Sequence, residues 1–194
     1  MKIDPRLEGL KNWKRAMRSY VFTLHELVFE IRPEYVLEVG TQLGQSTKSM
    51  LLAMGQNKFG KLISVDHKRR SDILDVEYPD LKEYCHFIKG SSHDPLTLQA
   101  VKDVLPEGKL LNIILIDGGH SYDDVKADYY DYYPLVKDGG LIILHDVCNV
   151  NCGVPDFWKE IQEEKFLFWW GKAQNSIVPG LGFVRKPIKE KTNA

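Results

Sequence analysis

The sequence has no long hydrophobic run and no strong charge imbalance, and each absence removes a class of protein. No stretch approaches the roughly 18 consecutive apolar residues of a membrane-spanning helix. The formal net charge of −1 gives no electrostatic reason to expect a nucleic acid or a membrane surface as a partner. Because 43% of the 194 residues are hydrophobic, the chain can bury one core, and we expect one globular domain.

Cysteine is also scarce. Cys85, Cys148 and Cys152 are an odd number in a chain of this size, which argues against a disulfide framework. No second Cys/His pair completes a zinc pattern around Cys148 and Cys152. The N-terminal residues lack the charged-then-apolar pattern of a secretory signal. We therefore expect reduced thiols and a cytoplasmic location.

Several catalytic motifs of α/β proteins are missing. No Gly-Lys-Ser/Thr follows the first predicted strand, which excludes a P-loop, and no Gly-x-Ser-x-Gly suggests an α/β-hydrolase. The glycine-rich loop Gly40–Gly44 has Gln42 where a diphosphate-binding loop needs a glycine. The N-terminus of the next helix can still hold a carboxylate through its free N–H groups. A cofactor without a diphosphate therefore fits this loop better.

Short apolar runs alternate with amphipathic segments of helix length. The runs predict five strands: Tyr35–Val39, Lys61–Val65, Cys85–Ile88, Leu111–Ile116 and Gly140–Leu144. The segments between them predict three helices: Ser46–Met54 with Ser46 as N-cap, Asp94–Leu105 and Asp123–Val136. This alternation is typical of βαβ units with right-handed crossovers, and hence of a parallel sheet.

The last third of the chain has a different pattern. It predicts a helix at Phe157–Ile161 and two strands close in sequence, Phe166–Trp170 and Gly182–Val184. An antiparallel pair at the sheet edge would accommodate these strands. The predicted fold class is therefore α/β, Rossmann-like: a mostly parallel seven-stranded sheet with a terminal antiparallel strand pair and helices on both faces.

The expected domain organisation is simple. We expect residues 1–30 to form an N-terminal helical segment, residues 31–186 to form the main domain, and residues 187–194 to be a flexible tail. The N-terminal segment or Cys148–Pro155 could close over a site as a lid.

Polar residues fall at the carboxyl ends of the predicted strands, where open parallel sheets bind ligands. They are Glu38, Gly40, Asp66, Ser91, Ser92, Asp117, His120, His145 and Asp146. Asp66 closes the second strand, where a carboxylate can accept hydrogen bonds from both hydroxyls of a ribose; the alternative is a helix cap. His120 is a candidate acid–base group because imidazole titrates near neutral pH, and Asp117 could orient it. The alternative is a structural hydrogen bond within the turn.

Four segments together carry a family resemblance: Val36–Ser46, Asp66, Ile116–Tyr122 (I-D-G-G-H-S-Y) and Leu135–Asp146. They resemble the class I S-adenosylmethionine-dependent methyltransferases. More narrowly, they are similar to the branch with an I-D-G-x-H-x-Y motif, which includes macrocin-type sugar O-methyltransferases and cephalosporin hydroxylase-like proteins. The similarity covers about residues 33–185. It implies methyl transfer from S-adenosylmethionine to a small-molecule acceptor, expected to be a hydroxyl of a sugar or glycosylated metabolite.

The resemblance also implies site residues. The cofactor-binding residues would be Glu38, Gly40, Thr41, Gly44, Ser46, Asp66, Ser91, Ser92 and Asp117. Among these, the residues of the first loop would surround the methionine part, Asp66 would hold the ribose, and Ser91 and Ser92 would lie beside the adenine. His120 would be the general base, with Asp117 as its catalytic partner.

A divalent metal is a further implication of the resemblance. Macrocin-type enzymes hold one with an aspartate after the fourth strand and an acidic pair after the fifth. Asp117, His145 and Asp146 match those positions, but His145 replaces an acid. An imidazole ligand suits magnesium poorly and favours manganese, zinc or iron.

Two other functions stay open. One is an S-adenosylmethionine-binding accessory protein without transfer activity, which the fold cannot separate from an enzyme. The other is an NAD(P)-dependent oxidoreductase. The G-x-x-x-G spacing argues against it, and the Tyr-x-x-x-Lys pattern at Tyr133 falls near a helix end. The expected partner is a small-molecule acceptor, not a nucleic acid or membrane, and a homo-oligomer stays open.

Overall fold

The computed structural model describes residues 4–10, 20–68, 74, 78–168 and 180–189. In this part of the chain the strands are β1 Tyr35–Val39, β2 Lys61–Asp66, β3 Cys85–Lys89, β4 Leu111–Ile116, β5 Val136–His145, β6 Lys165–Phe168 and β7 Leu181–Arg185. The helices are α1 Pro5–Leu10, α2 Val21–Ile31, α3 Gln45–Asn57, α4 Pro95–Val104, α5 Tyr122–Tyr132 and α6 Val154–Glu160. Short 3₁₀ helices cover Pro79–Tyr84 and Tyr133–Leu135.

The strands form one sheet in the order β3-β2-β1-β4-β5-β7-β6. Neighbouring strands from β3 to β5 are parallel, whereas β7 runs antiparallel to both β5 and β6. This confirms the predicted seven-stranded, mostly parallel sheet with a terminal antiparallel pair. The strand order reverses between β1 and β4, and open sheets bind ligands beyond the carboxyl ends of the strands at such a switch point.

Helices cover both faces of the sheet, and the core is correspondingly double. One cluster joins the sheet to α1, α2 and α3 through side chains such as Leu7, Leu24 and Met50. The other joins it to α5 and α6 through Tyr129 and Phe157. The described parts of the N-terminal segment are thus packed into the core, and a closing movement of this segment stays a prediction.

Two helix predictions need correction. Helix α3 begins at Gln45, and its N-cap is Gly44 in the left-handed conformation (φ 76°), not Ser46. Ser46 is already inside the first turn of the helix, and its hydroxyl donates a hydrogen bond to Glu38. Helix α5 ends at Tyr132 and does not continue to Val136. A 3₁₀ turn containing Pro134 follows, since proline cannot continue an α-helix hydrogen-bond pattern.

Strand boundaries also differ in places. Strand β5 starts at Val136 and not at Gly140, because Val136 pairs with Leu111 of β4 before an irregularity in the register. Strand β6 covers Lys165–Phe168, and the rest of the predicted Phe166–Trp170 strand lies outside the described residues.

Helix α6 begins at Val154, with Pro155 in its first turn, where proline is tolerated. None of the described helices has the length and apolarity needed to cross a membrane.

Candidate functional site

A cavity of about 460 Å³ opens at the carboxyl edge of the sheet. Its walls come from the loops after β1, β2, β3 and β4, and the lining residues are Val39, Gly40, Gln42, Val65, Asp66, His67, Lys68, Gly90, Ser91, Ser92, His93, Gly118, Gly119 and Asp124. Four of the predicted cofactor residues line it: Gly40, Asp66, Ser91 and Ser92. The structure therefore brings the ends of four strands together around one cavity.

The loop after β1 is built from unusual backbone conformations. Gly40 and Gly44 have φ values of 93° and 76°, and Gln42 has a φ of 47°. A Cβ atom at Gly40 would overlap the backbone carbonyl of Asp117, so the loop lies directly against the end of β4. Glycine at this position permits both the positive φ and the close approach. The backbone N–H of Gly40 also donates to the carbonyl of Val65 at 2.9 Å.

Glu38 supports this loop from beneath, and it does not line the cavity. Its side chain is fully buried and accepts hydrogen bonds from Ser46 (2.5 Å), Thr47 (2.6 Å) and Ser64 (2.6 Å). Burial raises the pKa of Glu38 to about 7, although the three hydroxyl hydrogen bonds act in the opposite direction. Sequence reasoning missed Thr47 and Ser64. The signal was a polar residue within each of two neighbouring strands, since Glu38 and Ser64 are register partners.

Asp66 connects two loops of the cavity wall. Its Oδ2 accepts hydrogen bonds from the backbone N–H groups of Thr41 (3.1 Å) and Gln42 (2.9 Å), and its Oδ1 accepts one from the N–H of Lys68 (2.8 Å). The side chain is nearly buried and still borders the cavity. His67 Nδ1 also lies 3.4 Å from Asp66 Oδ1, so the carboxylate is shared between the chain and the cavity wall. The structure thus adds a loop-bridging role to the predicted ligand role.

His93 and Asp124 also line the cavity, although sequence reasoning did not select them. His93 follows the two predicted serines, and its Nε2 lies 3.5 Å from Asp124 Oδ1. Its Nδ1 lies 3.5 Å from Oδ1 of Asp128, a fully buried residue of α5. Burial raises the pKa of Asp128 to about 6, against the opposing effect of Ser92 and His93. No local sequence pattern reveals these contacts between the loop after β3 and helix α5.

A second polar cluster, the Asp117/His120/His145/Asp146 cluster, lies beyond β4 and β5. The side chains of His145 and Asp146 are almost buried, that of Asp117 is 14% exposed, and that of His120 is 44% exposed. His120 Nε2 lies 3.3 Å from Asp117 Oδ1, and His120 Nδ1 lies 3.3 Å from Asp146 Oδ2. Gly118 and Gly119 connect Asp117 to His120 and also line the cavity. The cluster is therefore adjacent to the cavity.

The pKa values in this cluster are set mainly by interactions between its carboxylates and its histidines. Burial would raise the pKa of Asp117, but the nearby charges of His145 and His120, together with the hydrogen bond from His120, outweigh it and lower the pKa. Burial would lower the pKa of His145, but Asp117 and Asp146 outweigh it and raise the pKa. His145 Nδ1 is 2.9 Å from Asp117 Oδ1 without hydrogen-bond geometry, so this contact is mainly ionic. The hydrogen bond with Asp117 raises the pKa of His120, which keeps its imidazole protonated to higher pH.

The backbone around the cluster is held by specific contacts. Asp146 has a φ of 65°, a left-handed conformation that aspartate tolerates better than most residues, and its carbonyl accepts the N–H of Asn149. The N–H of Gly153 donates to the carbonyl of His120 at 2.9 Å. Tyr20 contacts the His145 ring edge to face, with 4.9 Å between ring centroids. Parts of both predicted lid segments thus lie beside the cluster.

A divalent metal is compatible with the donor set. Asp117, His120 and His145 each offer a ligand atom, and these atoms lie within 4.8 Å of one another. Neither ring nitrogen of His145 makes a hydrogen bond within the described residues, although both are buried. Buried nitrogens without such partners fit a metal-binding role. Asp146, the third predicted ligand, has its Oδ2 3.6 Å from His145 Nδ1.

Tyr122, the last residue of the I-D-G-G-H-S-Y motif, has a different environment. Its hydroxyl donates to the carboxylate of Glu160 at 2.7 and 2.8 Å, and Lys126 Nζ lies 2.6 Å from it. These contacts connect α5 to α6 outside the cavity. The geometry therefore indicates a structural role for this tyrosine.

Comparison with known proteins agrees with the fold. The chain is 29% identical over 148 residues to rhamnosyl O-methyltransferases of Mycobacterium bovis and Mycobacterium tuberculosis. The alignment covers 74% of this chain, and the chain spans about half of those relatives, 56% of their length.

Two solved structures are similar at low sequence identity. An O-methyltransferase from Bacillus cereus in complex with SAH superimposes with a TM-score of 0.71 at 17% identity, over 96% of this chain and 92% of that chain. An O-methyltransferase from Streptomyces achromogenes involved in tomaymycin synthesis, in complex with SAM, gives a TM-score of 0.68 at 15% identity, over 96% and 91%. These structures establish the Rossmann-like methyltransferase fold. The family described as "Methyltransferase domain" matches residues 37–147, more than half of the sequence, and the chain belongs to that family.

Proposed function

We propose that the chain transfers a methyl group from S-adenosylmethionine to a hydroxyl of a sugar or glycosylated small molecule, as a member of the I-D-G-x-H-x-Y branch. One observation carries the proposal: the Asp117/His120/His145/Asp146 cluster adjoins a cavity of about 460 Å³ through Gly118 and Gly119. The proposed cofactor site and the proposed acid–base site therefore share one loop. The rhamnosyl O-methyltransferases among the relatives favour a sugar hydroxyl as the acceptor.

The cavity suits an adenosyl cofactor better than a dinucleotide. A diphosphate needs free backbone N–H groups in the loop after β1. Here the N–H groups of Thr41 and Gln42 donate to Asp66. An added diphosphate would also face this carboxylate. The engagement of these N–H groups argues against the oxidoreductase alternative, whereas a ribose hydroxyl, which Asp66 could accept, is present in both cofactors.

The chemistry assigned to this chain is a proton transfer. When bound, S-adenosylmethionine would supply an electrophilic methyl group for the acceptor oxygen, and its sulfonium would become a thioether. The acceptor hydroxyl loses its proton to a ring nitrogen of His120, and Asp117 orients the ring and stabilises the imidazolium. Since the pKa of His120 is raised, the rate should rise as pH increases beyond the ordinary histidine value of 6.5.

The first test is binding and transfer with the wild-type chain. Calorimetry should detect S-adenosylmethionine and S-adenosylhomocysteine, with little binding of NAD. Labelled methyl groups should then be transferred to a rhamnose-containing acceptor. Binding without transfer to any of a panel of sugars would favour the accessory-protein alternative, whereas NAD binding alone would overturn the proposal.

The second test concerns His120. His120→Ala should lower turnover by about 10²–10⁴, the usual contribution of a general base, and leave cofactor affinity nearly unchanged. His86→Ala is the matched control because His86 is an exposed histidine of β3 that does not line the cavity. Near-normal turnover of His120→Ala would show that the histidine is structural.

We also propose that a divalent ion binds at Asp117, His145 and Asp146, which leaves His120 for the proton. When bound, such an ion would acidify the acceptor hydroxyl. The imidazole nitrogen in the donor set favours manganese, iron or zinc over magnesium. Calorimetry with manganese should show one site, and Asp117→Asn should abolish it while the exposed Asp123→Asn does not. Equal manganese binding by all three proteins would contradict this assignment.

A further inference from the structure

The loop between β5 and α6, residues 146–153, contacts His120 at both of its ends. At the first end, Asp146 Oδ2 lies 3.3 Å from His120 Nδ1. At the other end, the backbone N–H of Gly153 donates to the carbonyl of His120 at 2.9 Å. The side chain and the backbone of His120 are therefore both held by one short loop.

Gly153 lies very close to the turn that carries His120. A Cβ atom at this position would overlap the backbone nitrogen of Tyr122 and would lie 2.7 Å from the Cα atom of that residue. Any larger residue must therefore push the loop and the turn apart. Because Gly153 has an ordinary φ of −86°, the glycine is needed here for the missing side chain and not for backbone freedom.

Internal hydrogen bonds fix the shape of the loop between its two ends. The N–H of Asn149 donates to the carbonyl of Asp146 at 2.9 Å, and the N–H of Cys152 donates to the carbonyl of Asn149 at 3.2 Å. The side-chain Oδ1 of Asn149 accepts the N–H of Asn151 at 3.1 Å, which is an Asx turn. Consecutive turns of this kind leave the loop few alternative conformations, so its two ends keep a fixed separation.

We infer that Gly153 is a positioning residue for His120, and that the loop of residues 146–153 sets where the imidazole lies relative to the acceptor. The inference rests on the proposed role of His120 as general base. A displacement of a reacting group by about 1 Å can lower a rate by about a hundredfold. Gly153 does not line the cavity, so its replacement should affect turnover and not cofactor affinity.

The test compares Gly153→Ala with Gly60→Ala. Gly60 precedes β2 at the opposite edge of the sheet, and a Cβ atom there would lie 2.5 Å from the carbonyl oxygen of Pro33, so this variant introduces crowding far from the site. Both variants should unfold at a lower temperature than the wild type. At a temperature where both are folded, Gly153→Ala should lower kcat with the rhamnose-containing acceptor by at least about tenfold, while the Kd for S-adenosylhomocysteine stays within about twofold. Gly60→Ala should keep both values.

Asn149 offers a milder variant if Gly153→Ala does not fold. Asn149→Ala removes the acceptor for the N–H of Asn151 and leaves the backbone hydrogen bonds of the loop in place, so kcat should fall by about threefold to tenfold. A serine hydroxyl can accept the same kind of hydrogen bond in a turn, so Asn149→Ser should recover most of this loss. A loop that only stabilises the fold would lower the melting temperature of these variants and leave the kcat of the folded protein unchanged.

The outcomes separate this inference from the proposed function. Wild-type protein that transfers no methyl group overturns both, and so does near-normal turnover of His120→Ala. An active wild type with near-normal kcat in Gly153→Ala overturns only the positioning role, and so does an equal loss of kcat in Gly60→Ala. In the Asn149 pair, near-normal kcat of the alanine variant or no recovery by serine has the same meaning.

Discussion

The buried carboxylate of Glu38 gives a quantitative prediction about stability. Its pKa rises from the ordinary value of 4.5 to about 7 in the folded protein, mainly because of burial. Between pH 4.5 and pH 7 the folded state therefore holds a proton that the unfolded state has lost. Since the folded state binds more protons in this range, the free energy of unfolding falls as pH rises, and it levels off above pH 7.

The magnitude follows from the difference of about 2.5 between the two pKa values. Each pKa unit corresponds to about 1.36 kcal/mol, so the ionisation of Glu38 costs the folded state about 3 kcal/mol by pH 8. Glu38→Gln removes the ionisation and keeps the size of the side chain. The hydroxyls of Ser46, Thr47 and Ser64 must rearrange around the amide, which adds an offset that does not depend on pH.

Urea unfolding of the wild type and of Glu38→Gln at pH 4.5 and pH 8 measures this term. Relative to the variant, the wild type should lose about 3 kcal/mol of unfolding free energy between the two pH values. Glu107→Gln is the control, because Glu107 is exposed in the turn before β4, and it should follow the wild type. Parallel pH profiles for wild type and Glu38→Gln, within about 0.5 kcal/mol, would refute the reasoning.

Three further predictions concern the cavity and its supports. Asp66→Ala removes the acceptor of three backbone N–H groups and of the proposed ribose hydroxyls. Calorimetry should therefore show that the variant binds S-adenosylhomocysteine about tenfold to a hundredfold more weakly than the wild type. Unchanged affinity would contradict this role. Gly40→Ala should lower the free energy of unfolding by more than about 2 kcal/mol, because the new Cβ atom would overlap the carbonyl of Asp117. Gly108 also has a positive φ (73°), but nothing lies within 4 Å of its Cβ position, so Gly108→Ala should cost only about 1 kcal/mol. Similar losses for the two variants would argue against the close approach to Asp117. Tyr122→Phe should lower the free energy of unfolding by less than about 1 kcal/mol, because the contacts of the hydroxyl with Glu160 and Lys126 lie at the surface. Turnover should stay near normal. A large loss of turnover would give this tyrosine a direct role.

The parts of the fold that sequence could predict are those fixed by local hydrophobic runs. The bounds of β1 and β4 match the prediction, because both strands are buried on two faces and end at polar or glycine residues. The start of β5 could not be read from the sequence. Lys137–Gly140 has the composition of a turn, but the pairing of Val136 with Leu111 places it in the sheet.

The candidate site was predictable to the extent that strand ends define it. Gly40, Asp66, Ser91 and Ser92 lie at or just beyond the carboxyl ends of strands, and they line the cavity. Contacts between distant elements were not predictable. Neither the His93 contact with α5 nor the Thr47 contact with Glu38 follows from spacing, because each depends on how a helix packs against the sheet.

The two parts of the candidate site are stabilised by different interactions, so we expect them to respond differently to substitution. On the cavity side, Gly40 and Asp66 act through backbone geometry and backbone hydrogen bonds, so we expect changes there to affect folding and the proposed cofactor binding together. In the Asp117/His120/His145/Asp146 cluster the main interactions are between charged side chains, and the contact between His145 and Asp117 lacks hydrogen-bond geometry. Ionic contacts tolerate rearrangement better than backbone packing does. A histidine in place of an acid next to Asp146 is thus compatible with an unchanged fold, and at the proposed metal site it would favour manganese, iron or zinc over magnesium.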